Sequence, residues 1–323
     1  MKYDLSILIP SRNEIFLAKT IENALENIEG NTEIIAVLDG AWSDPPVVQD
    51  DRVTIIYHPV SVGQREATNE ACKLSEAKYV MKVDAHCAFD KGFDVKMMAK
   101  MKDNYTMAPI MRNLWAFDWK CYHCGWKTYQ GRTPDKCPDC GKTDKIRRKM
   151  MWVAKTNPQS RAYRFDSEPH FQYFREYYKR HEYLEALERE GLTDSMSLQG
   201  SCFMMTRDKY WELKICDSET FGSWGSQGIE VAVKTWLSGG RVVINHDTYY
   251  GHMFRTQGGD FGFPYKLPGS QVRRAKKKAK EVFYNSTFEG QILPLSWLLE
   301  KFWPVPGWTE EELQQVKDST PTL

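Results

Sequence analysis

Val80-Met81-Lys82-Val83-Asp84-Ala85-His86-Cys87 is a short, mostly apolar run that stops abruptly at an acid, a small residue and an imidazole. Strands buried on both faces read this way, apolar along their length and polar where they end. An acid and a histidine two positions apart at a strand end can both face one divalent cation. A nucleotide diphosphate can then complete the coordination shell.

The strand signal recurs towards the N-terminus. Leu5 to Pro10, Glu33 to Leu38, Val53 to Tyr57 and Lys78 to Val83 predict four strands, with helices over 15–28 and 63–74. Apolar strands alternating with amphipathic helices imply an α/β fold whose mostly parallel sheet is covered on both faces. Ligands of such sheets sit beyond the carboxyl ends of the strands, where Asp39 and Asp84 fall. Downstream, a helix is expected over 88–102 and a strand over 105–110. The aromatic residues crowding 161–191, from Tyr163 to Tyr183, are expected to pack from a helix, some of them lining a cleft. Ser197 to Thr206 predicts a strand, Ile229 to Leu237 a helix ended by Gly239-Gly240, and Arg241 to Ile244 another strand. Residues 256–271 are rich in Gly and Pro and predict a loop, and 272–323 predicts a basic helix with exposed tryptophans.

Composition sets outer limits. With 323 residues, 41% apolar and 27% charged, the chain can fold around a full core. The net charge of +1 gives no whole-chain signature, yet it conceals basic clusters at 145–149 and 273–280. Such runs are solvated faces or contacts for an anionic partner. No stretch approaches the roughly 18 apolar residues of a membrane span. The N-terminus enters a strand directly, without a signal-peptide pattern. The expectation is a soluble protein of the cytoplasm, bacterial or of a virus-infected cell.

Four of the eight cysteines form two knuckles, Cys121-Tyr122-His123-Cys124-Gly125 and Cys137-Pro138-Asp139-Cys140-Gly141, with twelve residues between the pairs. Four thiolates at that spacing predict a closed tetrahedral Zn²⁺ site, structural because no coordination position stays open. The ribbon interrupts the chain between Trp119 and Trp152 and is flanked by Lys142, Lys145, Arg147, Arg148, Lys149 and Lys155. Trp126 and Tyr129 are interleaved, a combination that suits phosphate contacts with base stacking. The plainer reading is a ribbon that only staples a long insertion.

Three separated motifs carry a resemblance. Asp84-Ala85-His86-Cys87, Trp224-Gly225-Ser226-Gln227-Gly228-Ile229-Glu230 and Gly251-His252-Met253-Phe254-Arg255 occur in the order found in the polypeptide N-acetylgalactosaminyltransferases. The chain resembles GT-A glycosyltransferases of the family-2-like superfamily, over roughly 4–115 and 197–256. That resemblance implies Asp84, His86 and His252 as ligands of Mn²⁺ (or Mg²⁺), and a UDP-sugar as donor. It implies donor contacts from Pro10, Arg12, Asn13, Glu14, Asp39, Gly63 and Trp224. The family's arginine after Gly63 is Thr68 here, and Arg65 is the candidate substitute. Gln227 stands where the family has an acid and cannot take a proton, which leaves Glu230 as base or as support for the helix start. A retaining reaction is expected, with the leaving phosphate accepting the acceptor's proton. Arg255 and the following Gly258-Gly259-Asp260-Phe261-Gly262 predict a loop closing over the donor.

These readings divide the chain into a nucleotide-sugar half (1–118), the ribbon (119–155), an acceptor half with the metal-ligand histidine and lid loop (156–271) and a basic tail (272–323). The expected acceptor is a hydroxymethylated pyrimidine in DNA, with polypeptide Ser/Thr or a glycan as alternatives. A nucleic-acid-binding protein without catalysis, on a GT-A scaffold, is the answer of a different class.

Overall fold

The computed structural model describes residues 2–255, 258–285 and 287–319. Its first part runs β1 (Leu5–Ser11), α1 (Leu17–Asn27), β2 (Thr32–Asp39), β3 (Val53–His58), α2 (Gln64–Leu74) and β4 (Tyr79–Val83). The strands lie in the order β4-β1-β2-β3, all parallel, so their carboxyl ends share one edge. α1 turns Leu17, Ile21 and Ala24 inward at one- and two-turn spacing, the stripe a sheet-covering helix needs. α2 starts at Gly63, whose φ of +91° suits glycine. A Cβ there would lie 2.4 Å from the Ser223 Cβ, so this turn and the 223–226 loop are in close contact.

Beyond β4 the chain departs from the expected pattern. The helix expected over 88–102 is shortened: Cys87–Phe89 forms β5, and only Phe93–Ala99 forms a helix, α3. The cause is pairing, because β5 lies antiparallel on a later strand. The strand expected at 105–110 extends to Cys121 as β6 (Tyr105–Cys121). With β7 (Lys127–Tyr129) and β8 (Ile146–Ser160) it forms an antiparallel arm that carries the cysteine knuckles.

The crowded aromatics are spread over several elements rather than one helix. Tyr163 and Phe165 lie on β9 (Tyr163–Phe165), and Phe171 and Tyr173 on β10 (Phe171–Tyr173). Tyr177 and Tyr178 follow in a short 3-10 turn, and Tyr183 lies on α4 (His181–Glu190). Alternation favours the hairpin: Tyr163 and Tyr173 are directly paired, with ring centroids 6.2 Å apart.

β11 (Leu192–Asp194), β12 (Cys202–Thr206), α5 (Arg207–Glu212), α6 (Ser218–Phe221), α7 (Gln227–Leu237) and β13 (Arg241–His252) complete the main layer. β12 inserts antiparallel between β4 and β6, which makes the sheet mixed. β13 runs parallel to β6 and antiparallel to β5, eight residues longer than the sequence suggested. Every residue of α7 is buried, Glu230 and Lys234 included, so the helix runs through the interior and its charges must pair there.

The tail folds back as α8 (Gly269–Tyr284), α9 (Leu295–Lys301) and α10 (Glu310–Ser319). Its tryptophans are not exposed. Trp308 is buried with its indole N–H on the Phe165 carbonyl, and Trp297 packs 6.1 Å from Trp236. Among the described residues no helix is long and apolar enough to cross a membrane.

One buried group makes stability depend on pH. His246, hydrogen-bonded to the Thr193 hydroxyl, is pushed down to about 4 by burial, with the Arg161 charge adding to the effect. Its ordinary value is 6.5, so between pH 6.5 and 4 the unfolded chain binds the extra proton. Stability should fall as pH falls through that window, by roughly 3 kcal/mol at most. Urea denaturation at pH 7 and pH 4.5 should show this, with a smaller difference in His246→Gln.

Candidate active site

The shared carboxyl edge of β1, β2 and β4 gathers Ser11–Glu14, Asp39 and Asp84–His86. β13 reaches the same edge from the other end of the chain. Its pairing with β5 sets His252 opposite Cys87, so His252 stands beside His86. Gly251, next to His252, lets β8 pack close to this strand, since a Cβ there would lie 3.0 Å from the Ala154 Cβ.

The three side chains converge. The Nε2 atoms of His86 and His252 are 3.1 Å apart, and His252 Nε2 is 3.3 Å from Asp84 Oδ2. His86 Nε2 is 4.0 Å from the same oxygen. Burial lowers His252 to about 4, which keeps its imidazole neutral and its lone pair available. Burial alone would raise Asp84, but the Lys82 ammonium and both imidazoles outweigh it and hold the carboxyl well below its usual range. One carboxylate and two imidazoles are a donor set for Mn²⁺, Mg²⁺ or a similar ion.

The outer contacts fit that reading. Glu14 Oε2 lies 3.1 Å from His86 Nδ1, which orients the ring and leaves Nε2 to face the centre. His252 Nδ1 is buried without a protein partner. Glu14 Oε1 accepts from Arg255 Nη2 at 2.6 Å and from the Phe16 amide. Both oxygens of Glu14 are therefore committed to the histidine support, not left open to a nucleotide base.

A cavity of about 380 Å³ opens beside the trio. Pro10, Arg12, Trp224, Gln227 and Arg255 line it. A smaller pocket of about 70 Å³ adjoins it, shared by Asp39, Gly63 and Tyr265. Asp39 organises its own loop, accepting from the Val62 and Gly63 amides and the Ser61 hydroxyl. Asn13 donates to the Pro264 carbonyl, and Arg12 lies 5.0 Å from the Tyr265 ring centroid.

Arg65 and Glu230 are placed elsewhere. Arg65 is fully buried, 3.0 Å from Glu230 Oε2, and donates to the carbonyls of Gly222 and Gly225. Glu230 also accepts from the Asp217 amide. Neither lines the cavity, so Arg65 cannot stand in for the expected donor contact and Glu230 cannot reach an acceptor hydroxyl. Gln227 does line it, its amide oxygen held by Gln64.

Lys82 was missed. Its ammonium contacts Asp84 and donates to the Gly200 carbonyl, at the cavity wall. The signal was present, because a lone lysine inside an otherwise apolar strand must find a partner when buried.

In the arm, the four cysteine sulfurs lie within 4.8 Å of one another. Gly125 and Gly141 amides close the knuckle turns on the Cys121 and Cys137 carbonyls. This donor set fits Zn²⁺.

Residues 6–152 match the sequence profile described as Glycosyl transferase family 2. A solved structure, the crystal structure of GalNAc-T7 with UDP, GalNAc and Mn²⁺, superposes with a TM-score of 0.64, covering 98% of this chain and 54% of that one at 13% identity. Residues 6–152, a little under half of the chain, are thus similar to glycosyl transferase family 2, on a GT-A-like fold. Polypeptide N-acetylgalactosaminyltransferase 13 of Drosophila melanogaster is 23% identical over 321 residues, 93% of this chain and 49% of that protein. Human polypeptide N-acetylgalactosaminyltransferase 10 is 30% identical over 117 residues, 35% and 18% of the two chains. The chain thus spans about half the length of the relative it matches from end to end. Within the GT-A domain, the Asp84–His252 trio and the cavity occupy the strand-end edge where this architecture binds ligands.

Proposed function

We propose that this chain is a metal-dependent glycosyltransferase that moves a sugar from a UDP-sugar to a hydroxyl acceptor. The convergence of Asp84, His86 and His252 on the wall of the strand-end cavity carries this reading. Mn²⁺ or Mg²⁺ held there would neutralise charge on the departing diphosphate. Glu14 fixes His86, Arg255 fixes Glu14, and Lys82 holds Asp84 ionised and in place. Arg12, Asp39, Gly63 and Tyr265 around the smaller pocket are the proposed uridine side, with Pro10, Asn13 and Trp224 completing the donor wall.

The acids at the cavity favour retention of configuration. Among the described residues lining it, the carboxylates are Glu14, tied to His86 and Arg255, and Asp84, facing the metal position. Gln227 is an amide, and Glu230 is locked on Arg65. No carboxylate is left to take the acceptor's proton, so the leaving phosphate takes it.

For the acceptor we infer DNA bearing a hydroxymethylated pyrimidine. From Trp119 to Lys155, ten Lys and Arg face three Asp in a chain of net charge +1. Strand register sets Lys127, Lys120 and Arg147 directly side by side across the arm. Like charges so placed repel, and a row of phosphates relieves the repulsion. Exposed Tyr122 and Tyr129 flank the row with Lys120 and Lys155 over their rings, which suits stacked bases. The second reading, a Ser/Thr hydroxyl of a polypeptide, rests on the names of the relatives, and a glycan acceptor follows it.

The test is incubation of labelled UDP-sugars and Mn²⁺ with hydroxymethylated DNA, unmodified DNA or a Ser/Thr peptide. Label is expected in the hydroxymethylated DNA, with the donor's anomeric configuration kept in the product's proton NMR spectrum. Label confined to peptide would overturn the DNA acceptor, and an inverted anomer the retaining chemistry.

A further inference from the structure

The inner side of the arm does something different from its cationic row. Phe117, Trp119, Cys121, Cys137, Ile146 and Trp152 form a second apolar core, separate from the one under the main sheet. That core also takes in Phe261, from the segment after the metal-ligand strand, and Met253, next to His252. The Phe261 ring meets Phe117 edge-on at 5.9 Å.

Asp260 ties the same segment to the ribbon by polar contacts. Its Oδ1 accepts the Thr133 amide at 3.0 Å, and its Oδ2 accepts the Thr133 hydroxyl. Thr133 lies between the two cysteine knuckles. Arg148, its guanidinium over the Phe117 and Trp119 rings, comes within 4.0 Å of Asp260. From there the contacts continue to the site. Arg255 donates to the Gly262 carbonyl with one nitrogen and to Glu14 with another, and Glu14 orients His86. The Pro264 carbonyl accepts from Asn13, and Tyr265 lies under Arg12. Thr256 and Gln257, at the start of the loop expected to close over the donor, lie outside the described residues.

We propose that the four-cysteine ribbon braces the donor side of the active site, with Asp260 as the positioning residue through which it acts. Cys121, Cys124, Cys137 and Cys140 would hold zinc and so fix the knuckles, the knuckles present Thr133, and Thr133 with Arg148 fixes Asp260. Asp260 and Phe261 then hold the 258–265 segment against Asn13, Arg12 and Arg255. Among the described residues the ribbon makes no hydrogen bond or ion pair to Asp84, His86 or His252, so its loss should weaken donor binding far more than turnover at saturation. The binding part of this inference rests on the UDP-sugar reading above.

Two measurements on the full chain separate the inference from that reading. Hydrogen exchange over 258–265 should rise when the cysteine-bound metal is stripped by a chelator, and in Asp260→Ala, with Lys136→Ala as an exposed ribbon control. Unchanged exchange would overturn the brace, whatever the donor is. Calorimetry of UDP with Mn²⁺ restored should show affinity weakened about tenfold or more in Asp260→Ala, the scale of lost charge-assisted hydrogen bonds. Asp260→Asn, which keeps a carbonyl for the Thr133 amide, should recover part of the loss. Faster exchange with unchanged UDP affinity in Asp260→Ala would remove Asp260's positioning role. Faster exchange in a wild-type chain that never binds UDP would leave the brace standing and remove the UDP-sugar reading.

Discussion

Asp84→Asn should lower Mn²⁺-dependent UDP-sugar hydrolysis by about a thousandfold or more while the chain stays folded. Asp84 is the only carboxylate of the converging trio, and an amide is a poor ligand for a hard cation. Losing several kcal/mol of charge stabilisation on a departing diphosphate corresponds to a rate loss of that order. Asparagine is a cleaner choice than alanine because Lys82 is buried against Asp84, with the Gly200 carbonyl as its other acceptor. Alanine would leave that ammonium short of partners and confuse lost chemistry with lost stability. Asparagine keeps an oxygen facing it. His86→Ala and His252→Ala should show the same loss, together with weakened Mn²⁺ binding by calorimetry. Near-normal hydrolysis in Asp84→Asn would remove Asp84 from the metal site, and no Mn²⁺-dependent hydrolysis by the unaltered chain would instead support a binding protein without catalysis on the same scaffold.

Arg65→Met should destabilise the fold by about 3–5 kcal/mol, measured by urea denaturation. Arg65 and Glu230 are both fully buried, so removing the cation leaves the carboxylate inside the protein with only the more distant Lys234 ammonium, 3.5 Å away, and the Asp217 amide as partners. The effect also reaches the site, because Arg65 holds the Gly222 and Gly225 carbonyls on either side of Trp224. Restoring neutrality with Arg65→Met/Glu230→Leu should recover part of the loss. Recovery stays incomplete, since those carbonyls and the Asp217 amide lose their partners.

The contrast between these two sites explains what could be read from the sequence. Asp84 and His86 are two residues apart at a strand end, and His252 sits in its own short motif, so local pattern sufficed. Four cysteines at knuckle spacing were equally legible. Arg65 and Glu230 meet across 165 positions, and nothing near either residue says that the other is its partner. Glu14 was legible as a site residue, but its role was not. That role depends on Arg255, which reaches it from 241 positions away. The parallel half of the sheet followed from apolar strands alternating with helices. The antiparallel insertion of β12 did not, because a strand buried on both faces looks the same in either direction. The tryptophans of the tail were misjudged for a related reason: a segment rich in charge looks exposed until the surface that covers it is known.

β13 carries an irregularity with a consequence for how the metal centre can vary. Asn245 and Tyr249 face neighbouring positions on β6, so His246, Asp247 and Thr248 are looped out of the ladder. Lengthening or shortening that excursion can be absorbed where it stands. Between Tyr249 and His252, by contrast, side chains alternate strictly, and one added residue would turn the imidazole to the opposite side of the sheet. The excursion therefore acts as a joint, leaving the far half of the strand free to drift in length while four residues keep the ligand's facing fixed.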